Sequence, residues 1–334
     1  MKKRQLGNTG IKISAIGIGG MSFCDFYGKT TEEDSYKILT TALERGVTHI
    51  DTANVYGGGS SEKIIGSFLN KLNKTEKKVI SIATKAGIAT DKDTGRRYFD
   101  NSALHLNSQL DKSLKRLGLD QIDLFYVHRR DKEIPIEEVT ETLSNMIKSG
   151  KIRAFGFSEI APVSLNRAAA IHPVGAVQSE YSLSVRSPEL GLVQTTKKCG
   201  SALIAFSPLG RSLLTDRPHT AEKAQSSAWL KTNPRFLEPN LSANISSCAK
   251  FRQLAADMGI SSAGLAIAWL LHKGDHIIPI PGTRSVKHFT EHCDGAEKKL
   301  SKADIEEIET ILPLGWASGE RYSEAQWVGI ERYC

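Results

Sequence analysis

Residues 50–59 read IDTANVYGGG, placing a carboxylate, Asp51, and a phenol, Tyr56, five residues apart in a glycine-rich turn. A buried apolar strand needs neither group. Other apolar runs end the same way. Lys85 closes VISIATK (79–85), His128 closes IDLFYVH (122–128), Gln178 closes the run from Val174, and Ser158-Glu159 follow directly on Ile152–Phe157. These side-chain types suit one kind of chemistry. A tyrosine with its ordinary pKa near 10 is a poor acid at neutral pH. A lysine beside it favours the phenolate and lowers that value, and an aspartate beside the lysine holds the ammonium charged and in place. A histidine can hydrogen-bond a carbonyl and orient it. The set suits proton delivery to an oxygen on which negative charge develops, as when hydride reaches a carbonyl carbon. No side chain donates hydride, so this chemistry requires a cofactor.

Taken singly, a strand-end aspartate reads as a helix cap and a lone histidine as a structural hydrogen-bond partner. The argument for a site is their recurrence at one end of successive strands, so the strands themselves must be placed. Short apolar runs alternate with amphipathic segments along the chain. Strands are expected at Ala15–Ile18, Thr48–Asp51, 79–85, Ile122–His128, Ile152–Phe157, Val174–Gln178, Ala202–Phe206 and Ile277–Pro281. Helices are expected near Glu32–Glu44, Ser61–Leu72, Ser102–Leu117, Ile136–Ser149, Val163–Ile171, Glu189–Lys198, Ser246–Met258, Ser262–His272 and Val286–Cys293. Eight strand–helix units predict an α/β fold, a (β/α)8 TIM barrel, whose active site lies at the C-terminal strand ends. Lys2–Ile13, with Asn8-Thr9-Gly10 at its centre, reads as an N-terminal β-hairpin plugging the opposite end. The βα loops are extended. Residues 211–245, polar and proline-dotted, read as a long loop insertion. Residues 313–334 read as a C-terminal tail over the barrel top, with all of 1–334 forming a single domain.

Composition narrows the partners. The 334 residues are 40% apolar and 24% charged, with net charge +7. The basic residues are dispersed and do not interleave with aromatics in one stripe, which argues against nucleic acid and leaves room for a small anionic ligand. No apolar run reaches the length of a membrane span and MKKRQLGNTG is not a signal peptide, so a soluble cytoplasmic protein is expected, with no membrane partner. Cys24, Cys199, Cys248, Cys293 and Cys334 are scattered and form no CxxC pair, so neither a metal site nor a disulfide framework is expected. Oligomeric state is not legible.

The order of motifs resembles an aldo-keto reductase nearly end to end. The resemblance rests on RQLGNTGIKIS, GVTHIDTANVYGGGSSEKIIG, ATKAG at 83–87, DLFYVH at 123–128, GFSE at 156–159, VQSEYSL at 177–183, FSPLG at 206–210 and IPIPGTRS at 278–285. It implies that Asp51, Tyr56, Lys85 and His128 form the catalytic tetrad, with Tyr56 as general acid reducing a small carbonyl substrate, an aldehyde or ketone. For the cofactor it implies that Ser158 and Gln178 hold the nicotinamide amide, that Phe206 stacks on the ring, and that Gly19, Gly20 and Met21 line the nicotinamide side. Ser207, Pro208, Leu209, Gly210 and Arg211 match a pyrophosphate-binding turn. Gly282 and Thr283 suit a phosphate at a helix N-terminus, and Arg284 is placed for an adenosine 2′-phosphate, which favours NADPH. His288, Glu291 and His292 fall at the phosphate and adenine, where the two histidines are expected to gain positive charge near pH 6. Glu159 stands where the family usually has Asn.

Two other readings compete. Some relatives of this family are NADPH-sensing β-subunits of potassium channels with slow turnover. Lys85 would be a Schiff-base lysine in an aldolase barrel, but that role needs an uncharged amine and Asp51 opposes it. Several features read as structural: Gly57-Gly58-Gly59 as the turn that points Tyr56 inward, Arg129-Arg130 as solvated or helix-capping, with substrate contact as the alternative, His105 and His172 as surface or packing residues, and Cys24 as an unactivated thiol. The aromatics Phe23, Phe26, Trp229, Phe236, Trp316 and Trp327 suggest an apolar substrate pocket.

Overall fold

A computed structural model describes residues 1–91 and 93–332; Cys334 lies outside them. Eight parallel strands carry the architecture: β1 (Gly17–Gly19), β2 (His49–Asp51), β3 (Ser81–Ala86), β4 (Ile122–Val127), β5 (Ile152–Ser158), β6 (Ala176–Glu180), β7 (Ala202–Phe206) and β8 (Ile277–Pro279). Each pairs with the next in chain order. Gly19 N–H donates to Pro281 O at 3.0 Å, tying the first strand to the chain just past the last. That closure needs glycine: a Cβ on Gly282 would sit 2.9 Å from Gly19 O. Every residue of β3 and β6 is buried, as expected of parallel strands covered on both faces.

The core has two layers. Inside the barrel, Ala83, Leu124, Ala154, Ala176, Ala202, Ile204 and Ile278 pack with Leu6, Ile11 and Ile13. Those last three come from the N-terminal hairpin, Lys3–Gln5 against Lys12–Ser14, which therefore plugs the barrel. Arg4 fixes the plug by donating to Leu271 O at 2.7 Å, at the C-terminal end of the helix Ser262–His272. Outside the barrel, helices bury one stripe each. Ile136–Lys148 buries Ile136, Val139, Thr140, Leu143 and Met146, the spacing of a single helical face. Ala103–Leu117 begins on Ser102, whose hydroxyl accepts from His105 N, and ends at Gly118 in the left-handed region.

The departures from expectation lie in the connections. Lys74–Val79 is a short helix, opened by a capping box between Asn73 and Glu76, so the third strand starts at Ser81. The loop after β3 forms a second hairpin, Ile88–Thr90 with Arg97–Phe99. A further helix spans Lys302–Ile311. Residues 211–245 are not one open loop: they hold the helix Ala221–Ser226, three 3-10 turns and the start of the helix Asn240–Ser247. The tail does pack onto the barrel, with Trp316 Nε1 donating to Leu183 O at 2.8 Å. No single helix among the described residues is long and apolar enough to cross a membrane.

Candidate active site

The barrel brings Asp51, Tyr56, Lys85 and His128 to one mouth. Asp51 ends β2, Lys85 lies in β3, and His128 follows β4. Lys85 is fully buried, and its ammonium donates to Asp51 Oδ1 and, at 2.8 Å, to Thr52 O. The other oxygen of Asp51 accepts from Gln178 Nε2 at 2.8 Å. Tyr56 opens a 3-10 turn, Tyr56–Gly59, immediately beyond. Gly57 and Gly58 have φ of 57° and 61°, and a Cβ on Gly57 would meet Ser60 Oγ at 2.1 Å and Cys24 Cβ at 2.7 Å. Only glycine makes this turn, and the turn carries the Tyr56 ring to 5.2 Å from Lys85 Nζ and 5.8 Å from the His128 ring.

Burial controls the charges. It draws the Lys85 ammonium below its usual pKa, with Asp51 opposing. It takes His128 well below the ordinary histidine value, helped by Arg129, Lys85 and Arg97, so the imidazole is neutral. The Tyr56 hydroxyl departs from expectation. Burial pushes it well up, Asp51 pushes it further, and Arg129 pulls the other way. Lys85 does not lower it in this geometry because its charge is neutralised at hydrogen-bond distance by Asp51. The cation that favours the phenolate is Arg129, a residue read from the sequence as solvated or helix-capping. Arg129 is instead half-buried, donating to His128 O at 2.6 Å and Ser158 Oγ at 3.0 Å. Arg130 is also buried, beside Glu331. Cys24 is buried and burial raises its thiol, in keeping with an unactivated cysteine.

Glu159 is fully buried and adopts φ 58°, in the left-handed region uncommon for a side chain of its size. Its Oε1 accepts from Glu180 N–H at 2.8 Å and its Oε2 from Arg321 Nη2 at 2.8 Å. Arg321 Nη1 lies 3.7 Å from Glu180 Oε2, which in turn accepts from Arg211 Nη2 at 2.7 Å. Two carboxylates and two guanidinium groups thus join β5, β6, the loop after β7 and the tail. Burial alone would raise the Glu159 carboxyl, but Arg321, Arg129 and the Glu180 N–H together hold it below the usual range. Arg321 escaped sequence reading because it lies in an aperiodic tail. The available signal was Glu159 itself, since a carboxylate at a buried strand end requires a cation.

The remaining predicted positions lie at or after the ends of β1, β5, β6, β7 and β8. Ser158 and Gln178 are 2% and 3% exposed. Phe206 is half-buried at the end of β7. The following turn, with Pro208 buried and Leu209 half-buried, has Ser207, Gly210, Arg211 and Ser212 at φ of 49°, 55°, 53° and 91°. A right-handed residue followed by a left-handed one, as at Leu209-Gly210, is the backbone pattern of anion-binding nests, although Gly210 N–H here donates to Ser207 O at 3.0 Å. The Arg211 side chain itself points inward to Glu180. Gly19, Gly20 and Met21 sit where β1 ends, with a Cβ on Gly20 only 3.0 Å from Asp51 O. Gly282 and Thr283 precede the helix Val286–Glu297; Arg284 is exposed and donates to Lys29 O at 2.8 Å. His288 is exposed and Glu291 half-buried on that helix. His292 is buried against Phe289, and burial, with His288 nearby, takes its pKa to about 3, so the positive charge expected from it near pH 6 is absent. Phe23 and Phe236 are core residues rather than pocket walls. The aromatic edge runs through Phe26, Trp229, Tyr322 and Trp327, with ring centres 6.1, 6.1 and 5.6 Å apart in turn.

Comparison with known proteins identifies the family and the fold. Residues 15–313 match the model of the aldo/keto reductase family. The chain is 36% identical over 322 residues to a Schizosaccharomyces pombe protein named aldo-keto reductase yakc with NADP(+) in its name, covering 96% of this chain and 94% of that one. It is 35% identical over 319 residues to probable aldo-keto reductase 1 of Glycine max, covering 95% and 91%. Among solved structures, a glycerol dehydrogenase from Gluconobacter oxydans shares the fold, with TM-score 0.82, 24% identity and coverage of 96% and 98%.

The Glu159–Arg321 pair generates a stability prediction. Arg321→Met removes the closest cation from a buried carboxylate and is expected to cost about 3–5 kcal/mol at pH 7 in a denaturant melt. Glu159 is held below its unfolded value of about 4.3, so its contribution is complete above that pH and is lost as pH falls through the folded value. The gap between wild type and variant should therefore narrow on acidification from pH 7 to pH 3; a constant gap would assign the loss to packing alone.

Proposed function

The chain belongs to the aldo/keto reductase family, and we propose that it reduces aldehydes or ketones to alcohols with NADPH, Tyr56 giving up the proton. The observation that carries this reading is the buried Asp51–Lys85 pair beside Tyr56 and a neutral His128. The cofactor, when bound, supplies hydride to the carbonyl carbon. The residues present fit it: Ser158 and Gln178 offer buried polar groups to a carboxamide, Phe206 offers a ring face, and the left-handed turn at 207–212 offers N–H groups to a pyrophosphate. Gly282 and Thr283 bring backbone to the start of the helix Val286–Glu297, where a phosphate is favoured. The exposed guanidinium of Arg284 suits a 2′-phosphate, and His288 and Glu291 lie on the adjoining turn of that helix. NADP(+) in the name of the Schizosaccharomyces pombe relative supports the same cofactor.

The protein's own part is to orient the carbonyl and to move one proton. Neutral His128 has an N–H to donate to the carbonyl oxygen without bringing a second full charge. Tyr56, raised by burial, keeps its proton at neutral pH until charge develops on the neighbouring oxygen. As the proton leaves, Arg129 stabilises the phenolate. Asp51 keeps Lys85 protonated against its own burial, which disfavours the Schiff-base alternative.

Tyr56→Phe retains the ring and removes the proton, so NADPH oxidation with an aldehyde substrate should fall about 10²–10⁴-fold while cofactor affinity, read by tryptophan quenching, stays within about twofold. Retained turnover would remove Tyr56 from the role of acid. Arg284→Ala should weaken NADPH by about ten- to a hundredfold and leave NADH nearly unchanged, because only NADPH carries the 2′-phosphate. Equal weakening of both in the same titration would place Arg284 in the fold rather than at that phosphate.

A further inference from the structure

Between the hairpin after β3 and the tail, and reaching Arg130 two residues beyond His128, lies a cavity of about 820 Å³. Phe99 and Trp327 form its apolar walls, and Arg96, Arg97, Arg130 and Lys132 line it. Three carboxylates line it as well, but they are committed or peripheral. Asp91 Oδ1 accepts from Asp93 N, Thr94 N and Thr94 Oγ1 at 3.2, 2.8 and 2.7 Å, and Asp131 Oδ1 accepts from Glu133 N at 3.1 Å. Glu324 is exposed at the rim. Among the described residues no ion pair joins any of the three to Arg96, Arg97 or Lys132.

At depth the cavity is cationic. Arg130 is 7% exposed; its Nε lies 3.4 Å from Glu331 Oε1, and its Nη1 makes no hydrogen bond among the described residues. Arg129 does not line the cavity, but its Nε, next to Arg130 in the chain, is likewise buried without an acceptor among the described residues. Guanidinium N–H groups removed from water require an acceptor, and the described residues leave these without one. Arg97 and Arg129 also act on His128, so the positive field extends from the cavity to the carbonyl-binding group. Arg130 follows His128 by two residues, at most about 7 Å of backbone, roughly the length of one substituted aromatic ring.

We propose that this cavity takes the anionic end of the substrate: a carbonyl compound bearing a carboxylate or phosphate on an apolar body of about one ring. The inference rests on the reductase reading above and names its substrate class. Arg130 and Arg97 bind the anion, Phe99 and Trp327 flank the body, and the carbonyl end reaches Tyr56 and His128.

The test compares kcat/KM for 4-carboxybenzaldehyde, 4-formylphenyl phosphate and the neutral methyl 4-formylbenzoate at low ionic strength. At least one anionic aldehyde should exceed the ester by about tenfold or more, with a ratio that falls as salt is added. The two anionic arms separate carboxylate from phosphate. Arg130→Met and, at an exposed position where folding is not at stake, Arg97→Met should each lower the ratio about tenfold, and Arg130→Lys should restore part of it. A wild-type ratio near one, or a ratio that neither methionine variant changes, overturns the proposal and assigns the buried N–H groups to water. If no aldehyde turns over, the reductase reading has failed, and calorimetric titration with terephthalate, with and without NADP+, decides the anion site separately. Saturable binding lost in Arg97→Met sustains the site, and absence of binding overturns it.

Discussion

The ammonium of Lys85 has no access to water, and the rest of the barrel mouth follows from that constraint. A buried cation is costly unless a carboxylate and further acceptors meet it, and here Asp51 and Thr52 O do so. Gln178 fills the second oxygen of Asp51, so β2, β3 and β6 are bound together through one carboxylate. A hydrophobic pair of similar volume would fill the same space without the desolvation penalty, so stability does not account for the choice. What the pair supplies is position: a fixed ion pair beneath the turn that holds Tyr56 and beside an imidazole kept neutral by burial, helped by its cationic neighbours.

Around this inner pair runs a second tier of buried charge. Glu159, Arg321, Glu180 and Arg211 connect the ends of β5 and β6 to the tail and to the loop after β7. The tail therefore has a charged anchor at depth, while its aromatic residues Tyr322 and Trp327 lie under the Arg321 guanidinium at 4.9 and 4.8 Å. Glu159 is thereby explained by what it holds rather than by the contact an Asn would make there. The anchor also sets one wall of the cationic cavity, since Trp327 belongs to both.

Much of this was legible in the chain. Strand-end polar residues stood out because parallel strands buried on both faces tolerate few such groups, and the eight-unit rhythm located them at one end. The glycine turn after Tyr56 was legible because three consecutive glycines have few other uses. The short helix Lys74–Val79 and the helix Lys302–Ile311 were missed: the first is polar and almost wholly exposed, and the second buries only Ile308 fully. The direction of the Tyr56 shift is not legible in sequence, which supplies neighbours without distances, and a lysine already bonded to a carboxylate exerts little net field. The burial of His292 is hidden for a related reason, since helical position alone does not say which face is buried.

The central claim is that Asp51 and Lys85 act as one unit to serve Tyr56. A double-mutant cycle on single-turnover hydride transfer, with wild type, Asp51→Asn, Lys85→Met and the double variant, tests it directly. If the pair works as a unit, the double variant should be no slower than the slower single variant, because either substitution already dismantles the arrangement. Rate losses that simply add would mean that the two residues contribute independently, and the buried pair would lose its place as the organising interaction of the site.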